Sequence, residues 1–479
     1  MYRAHPSGGI GFLARLFLAI SLLIVFASIK NYQGDGIAGE PIRTETVVLV
    51  SVDGLAAGYL DDPAAPLPHL RQLASEGAVA RGMITACPSV TWPSHVTLIT
   101  GVWPSRHGVI GNSVFDRQKN RIVTYIGDPE LTKSQAVRAV TLYDVLHPSG
   151  RSSASIIWPC SSGADSLRWV IPDSNRAELH QRFTTPGLVD ELLDAGIDIR
   201  PLAQWGWDKN YMQQRDALYT KVACYLIEKY RPALVLVHLI QPDGVEHASG
   251  PYTQEAYRAV GETDVHIGTL WQLLQTPPFR DRAALFVVSD HGFAPYEKLI
   301  QPAAVLRELG EIVTDPSGKV LTQKTRCVSQ GGTAFVYVLG EDKQQRLPQI
   351  KDAMQKLEGV ADVLTADQLA SLGLPTPDVN AQAPDFLLNA RPGYSFSDNL
   401  AGPAIVPVNG LRGAHGHLPQ PSFMHATFVA AGAGIRKGVK LDVIQSIDVA
   451  PTIARLLQIE LPDAEGRVLH EILSSAAPQ

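Results

Sequence analysis

The sequence predicts an α/β fold, a central and mostly parallel sheet flanked by helices, with a smaller α+β insertion. Three observations carry this. Four short apolar runs end abruptly in polar residues and glycine, segments of helical period lie between them, and the stretch from Gln301 to Ser397 breaks the alternation. Unbroken Val/Leu/Ile runs are what strands buried on both faces look like, and helices covering both faces make that burial.

Residues 1–39 stand apart from this pattern. Leu16 to Ile29 is an uncharged apolar run, preceded by Arg3 and Arg15 and followed by a polar, Gly-rich stretch. That is the pattern of a signal-peptide core or of a short membrane anchor. Either reading exports the chain from Glu40 onward to the periplasm or the extracellular space, and the second also attaches it to the membrane.

The strand runs then follow in order: TVVLVSVDG (Thr46 to Gly54), ALVLVHLIQPDG (Ala233 to Gly244), ALFVVSDHG (Ala284 to Gly292) and ATFVAAGAG (Ala426 to Gly434). Helical patterns separate them, beginning at Pro68 and covering Tyr211 to Tyr230. This alternation assigns residues 40–300 and 398–479 to one α/β domain. Residues 301–397 mix a strand, GTAFVYVLG, with a charged helical stretch and a Pro-rich passage, and read as an α+β cap inserted into that domain.

Composition narrows the function classes. With 45% hydrophobic and 18% charged residues over 479 positions, the chain is globular and not disordered. A formal net charge of −6 leaves no basic footprint, so no stable nucleic-acid partner is expected. The four cysteines, Cys87, Cys160, Cys224 and Cys327, contain no C-x-x-C spacing, which argues against a thiolate zinc site. Export would permit a disulfide, with the pairing open.

Three of the four runs end in acidic residues, at the strand ends where ligands of open α/β sheets gather. The first gives Asp53, the second Asp243 with His247 four residues on, the third the pair Asp290 and His291. RGAHGHLP adds His415 and His417 between glycines. Gly244 argues for Asp243 and His247 on a loop and not on one helix face. A single strand-ending Asp is commonly a turn or cap residue. Carboxylates and imidazoles at successive strand ends, however, make a ligand set for divalent ions such as zinc.

The motifs VSVDG, PSVTWPSHVTLITG, RHGVIGN, the Trp158-Pro159 pair, RPALVLVHLIQPDGVEHASGP, VVSDHG and GAHG follow one another in this order along the chain. Together, from about Val47 to Ile459, the chain resembles the alkaline phosphatase superfamily, and within it the nucleotide pyrophosphatase/phosphodiesterase family. The resemblance implies two divalent metal ions, with zinc the expected one. Asp53, Thr91, Asp290 and His291 would hold one, and Asp243, His247 and His415 the other. It further implies that Thr91 attacks phosphorus and forms a phospho-threonine intermediate. Asn112 would donate to a phosphoryl oxygen, with the Trp92 backbone N–H as a second donor, and the Trp92 ring would line the leaving-group pocket. The substrate would be a small phosphodiester or nucleotide. His95 and His107 read as braces of the nucleophile loop, and His238, inside an apolar run, as a core histidine.

Two departures accompany the match: Cys160 stands where the family has glycine after Trp-Pro, and GHLP follows His415, which sets His417 against His415 as ligand. Other readings are weaker. CPSVT also resembles the nucleophile segment of phosphonoacetate hydrolases, a phosphonate-cleaving alternative. A sulfatase needs C/S-x-P-x-R, which Cys87 does not begin. A phosphomonoesterase would use Ser and a phosphate-gripping Arg. A catalytically silent envelope binding protein should have lost ligands, and all seven positions here carry competent side chains.

Overall fold

The computed structural model describes residues 44–474. The apolar run Leu16 to Ile29 and its flanking arginines lie outside the described residues. Among the described residues, no helix is long and apolar enough to cross a membrane.

Eight strands form the main sheet: β1 (Thr46–Val52), β2 (Ala78–Ile84), β3 (Ser153–Ile156), β4 (Trp169–Ile171), β5 (Leu234–Leu239), β6 (Ala283–Val288), β7 (Phe428–Gly432) and β8 (Val439–Gln445). Their order is β8-β2-β7-β6-β1-β5-β3-β4. Every neighbouring pair is parallel except the two that β7 makes, with β2 and β6. The sheet is thus mostly parallel, as the alternation predicts. An apolar run reads the same in either direction, so the reversal of β7 left no trace in the sequence.

All residues of β1, β5 and β6 are buried, and side-chain alternation sends them into two cores. Val48, Val50 and Val52 join the residues that α3 (Met212–Tyr230) and α5 (Gln254–Leu274) bury, among them Val222, Leu226, Val260 and Leu270. Val47 and Leu49 point the other way, to Leu98 of α2 (Thr91–Thr100) and Ile453 of α6 (Val449–Leu456). Helix α1 (Pro68–Glu76) starts at the proline that marked it, and α4 (Gln241–Ser249) follows β5 almost directly.

The segment after β6 builds three further sheets, one of them the two-stranded pair of Ile312–Thr314 and Val320–Gln323. Ala294–Ile300, Gly393–Phe396 and Ile405–Ala414 make a three-stranded one, and Thr325–Ser329, Thr333–Val338, Phe386–Ala390 and Val360–Thr365 an antiparallel four-stranded one. Helix Lys343–Gln355 packs Ile350 and Met354 against the latter. The described residues all fall within one compact unit. The four cysteines are free thiols, so the disulfide that export would permit is not formed.

Candidate active site

Register explains why the acidic residues meet. Ser51 of β1 is paired with His238 of β5 on one side and Val288 of β6 on the other. Asp53 and Asp290 therefore leave the sheet side by side, each two residues beyond its paired position. Because β7 runs the other way, its N-terminal end faces this same edge. The segment that holds His415 thereby reaches the site, and the C-terminal end of β7 supplies no ligand.

Asp243 and His247 do not lie on a loop. Both belong to α4, one turn apart, with His247 Nε2 3.3 Å from Asp243 Oδ1. Gly244, which argued against a helix, serves close approach: a Cβ there would stand 2.0 Å from the Met212 sulfur of α3. Pro242 suits the first turn, where its missing N–H has no intrahelical partner to lose. The buried carboxylate of Asp216, also on α3, accepts the backbone N–H groups of Ile240 and Gln241, both at 3.0 Å. It caps the helix that carries two candidate ligands.

Donor atoms of Asp243, His247 and His415 lie within 4.8 Å of one another, as do those of Asp53, Asp243 and His291. Asp243 belongs to both sets, and the rings of His291 and His415 stack with centroids 3.9 Å apart. The lone pairs in these sets face one another. His247 Nδ1–H donates to the Gly413 carbonyl at 3.0 Å, which directs its Nε2 toward Asp243. His291 Nδ1 contacts the Gly292 carbonyl at 3.3 Å, while its Nε2 stands 3.2 Å from Asp53 Oδ1 and from Asp290 Oδ2 without a hydrogen bond to either. Acceptors converging in a buried site need a cation between them. Imidazole and carboxylate donors of this kind fit a divalent ion.

Electrostatics points the same way. Burial, and then the charge of Asp243, pushes Asp53 well above the carboxylate range. Burial and the neighbouring Asp53 push Asp290 up to about 7. Positive charge beside this pair would restore both to their ionised forms.

Two histidines turn out to hold the ligands. His238 is fully buried, as a core residue should be, but its Nε2 reaches Asp53 Oδ2 at 3.0 Å and orients that carboxylate. His95 lies with its ring 4.2 Å from that of His238, and its Nδ1–H donates to the Thr91 carbonyl at 2.8 Å. Atoms of His95, His238 and Asp290 also fall within 4.8 Å of one another. One nitrogen of each ring is already engaged in the contacts just given. His107 Nε2 bonds Thr97 Oγ1 at 3.0 Å, and its Nδ1 accepts from the Val109 N–H, tying α2 to the chain that leads to Asn112.

Thr91 is the first residue of α2, where backbone N–H groups and the helix dipole favour an anion. The Trp92 N–H, expected to point at a substrate oxygen, instead donates to Asn112 Oδ1 at 3.1 Å. That bond takes the acceptor end of the Asn112 amide and leaves its NH2 as the donor end. The Trp92 ring faces Trp207 at 6.4 Å between centroids, with planes tilted by 38°. Arg215, buried on α3, lies over the Trp207 ring at 5.4 Å. Sequence reasoning had no signal for Trp207, which sits in a segment without strand or helix pattern.

The two departures have structural counterparts. Cys160 has φ +59°, a left-handed conformation that glycine adopts without cost. His417 joins neither donor set: its ring lies against Gly332, where a Cβ would approach to 2.2 Å, and edge-on to Phe423 at 5.8 Å. His415 is thus the histidine that the fold brings to Asp243.

Residues 47–418 match the profile of the type I phosphodiesterase / nucleotide pyrophosphatase family. The chain belongs to this family. An uncharacterized pyrophosphatase/phosphodiesterase of Schizosaccharomyces pombe is 28% identical over 58% of the chain and 50% of its own length. Human ectonucleotide pyrophosphatase/phosphodiesterase family member 1 is 24% identical over 87% of the chain, which corresponds to 40% of the human protein. The chain therefore spans half or less of the length of these two relatives. Among solved structures, murine ectonucleotide pyrophosphatase/phosphodiesterase 5, an inactive Thr-to-Ala variant in complex with AMP, superposes with TM-score 0.66 at 19% identity, over 90% of this chain and all of that one. The type I phosphodiesterases and this chain share the alkaline phosphatase-like fold.

Proposed function

We propose that this member of the type I phosphodiesterase family is an exported two-metal hydrolase. It cleaves phosphodiester or pyrophosphate bonds through a phospho-threonine intermediate on Thr91. The observation that carries this reading is the pair of adjoining donor sets that share Asp243, buried at every position but His247. Asp53, Thr91, Asp290 and His291 would hold one ion; Asp243, His247 and His415 the other. Two divalent ions, zinc by the character of the donors, would lower the pKa of the threonine hydroxyl and offset charge building on the phosphoryl group.

The chain's own residues do the rest. Thr91 Oγ1 forms the bond to phosphorus as the bond to the leaving oxygen breaks, and water then attacks phosphorus from the opposite side to release Thr91. The Asn112 NH2 donates to a non-bridging oxygen. His95 holds the Thr91 carbonyl and so fixes the start of α2. Trp92 and Trp207 offer ring faces to the leaving group, suited to a base, and the AMP bound by the murine relative supports a nucleotide as substrate. The four-stranded sheet of residues 325–390 acts as a cap on the catalytic domain. The apolar run Leu16 to Ile29, together with relatives named as ecto-enzymes, supports action outside the cytoplasm, with the N-terminal segment cleaved or kept as an anchor.

The test is a hydrolysis screen of purified, zinc-loaded protein against a p-nitrophenyl diester, the matched monoester, a nucleotide pyrophosphate, a phosphocholine lipid and phosphonoacetate. Diester or pyrophosphate turnover is expected to lead. A clear monoester preference moves the chain to the phosphatases, and phosphonoacetate turnover alone moves it to the phosphonate-cleaving enzymes.

A further inference from the structure

A residue of the insertion reaches the catalytic centre. Gln330 lies in the hairpin between strands Thr325–Ser329 and Thr333–Val338, closed by its N–H on the Thr333 carbonyl at 2.8 Å. Its side chain is buried and uses both ends of the amide on one stretch of chain. Oε1 accepts the Asn112 N–H at 2.9 Å, and Nε2 donates to the Ser113 carbonyl at 2.7 Å. Donor and acceptor on consecutive residues fix the backbone in one pose, which a single bond would not do.

The same hairpin holds the segment with His415. The Gly332 N–H donates to the His415 carbonyl at 2.8 Å, and Thr333 Oγ1 donates to the Gly416 carbonyl at 2.7 Å. Gly416 in turn gives its N–H to the Ser89 carbonyl at 2.8 Å, two residues before Thr91. Space has been left for this contact. A Cβ on Gly416 would stand 1.7 Å from the Gln330 carbonyl oxygen, and one on Gly111 2.8 Å from Gln330 Oε1. Glycines in two distant segments thus make room for one glutamine.

Asn112 is where this lattice meets the reaction. Its Oδ1 is taken by the Trp92 N–H, so the direction of its free NH2 depends on where the Asn112 backbone sits, and Gln330 sets that position. We propose that Gln330 is a positioning residue for phosphoryl transfer, holding Asn112 so that its NH2 meets the phosphoryl oxygen. This rests on the reading above, in which Thr91 attacks and Asn112 donates. A residue acting in this way moves kcat more than KM, because the contact it supports strengthens as charge builds on the oxygen.

The test is a double-mutant cycle on the full, zinc-loaded chain with a p-nitrophenyl diester, ion content being measured for every variant. Asn112→Ala should lower kcat about a hundredfold, and Gln330→Ala about tenfold with KM and ion content nearly unchanged. In the Asn112→Ala background Gln330→Ala should cost nothing further, because the group it positions is gone. If Gln330→Ala does not fold, Gln330→Met, of similar length and without the amide, takes its place. Wild-type kcat in the Gln330 variant beside an impaired Asn112 variant overturns this inference and leaves the catalytic reading standing. So does a full multiplicative loss in the double variant, which marks Gln330 as structural support. Wild-type turnover by Asn112→Ala overturns the role of Asn112 itself, and the role of Gln330 with it.

Discussion

The carboxylate of Asp216 on α3 caps the first turn of α4, accepting the N–H of Gln241 at 3.0 Å, and Asp243 and His247 of the donor sets stand two and six residues further along that helix. A helix start needs acceptors for its free N–H groups, and a buried one cannot take them from water. Asp216→Ala should therefore cost about 1–2 kcal/mol of stability. It should also weaken binding of the ion at Asp243 and His247 about tenfold or more, since the helix would no longer be held. Asp216→Asn, which keeps an acceptor oxygen, should lose less of both. Urea unfolding and zinc competition with a chelator measure the two effects. Unchanged affinity in the alanine variant would show that α4 is fixed by packing alone.

His415 and His417 separate cleanly. Of these two, His415 is the one with a nitrogen near Asp243, its Nε2 standing 3.6 Å from Oδ1. His415→Ala should lose one of the two ions expected per chain, and His417→Ala should keep both. Metal analysis of the dialysed variants decides. Loss in the His417 variant alone would reverse the assignment.

Thr91→Ala should fold, since the residue begins α2 without capping it, and should lose turnover by about a thousandfold or more. Thr91→Ser should retain part of the rate. Acid-quenched wild-type enzyme should carry, on the peptide containing Thr91, a phosphoryl group still esterified to the retained half of the diester, detectable by mass spectrometry. Near wild-type diester hydrolysis by the alanine variant would replace the covalent path with direct attack by water.

The sequence made the main strands and their acidic ends legible because those strands are buried on both faces. Their apolar runs are unbroken, and a charge beyond them stands out. Gly244 misled for a related reason: its cause is the Met212 side chain of another helix, and contacts between distant segments leave no local pattern. The same limit hid Asp216 and Gln330, whose partners lie 25 and 218 positions away. His238 read as core because it is core; its bond to Asp53 follows from strand pairing, which one strand's sequence does not contain.

Asp173 extends the strand-end rule to a strand too short to be read. It follows β4, a strand of three residues, and both of its carboxylate oxygens are buried without a hydrogen-bond partner. Burial pushes it up to about 7, against the pull of His238 and Arg215. Above the ordinary value of 3.8 the unfolded chain has released this proton, while the folded chain keeps it until about 7. The folded state thus binds more protons across that window. Stability contributed by this group is present below the unfolded value, falls as pH rises between the two, and is flat above. Asp173→Asn removes the slope and breaks no bond to a protein group. The variant should gain on wild type by on the order of 2–3 kcal/mol between about pH 5 and about pH 8. Paired thermal melts at the two pH values measure it. A variant that instead loses ground as pH rises would mean that the charged carboxylate is favoured in the folded protein, with the cationic side of Arg215 or His238 outweighing burial.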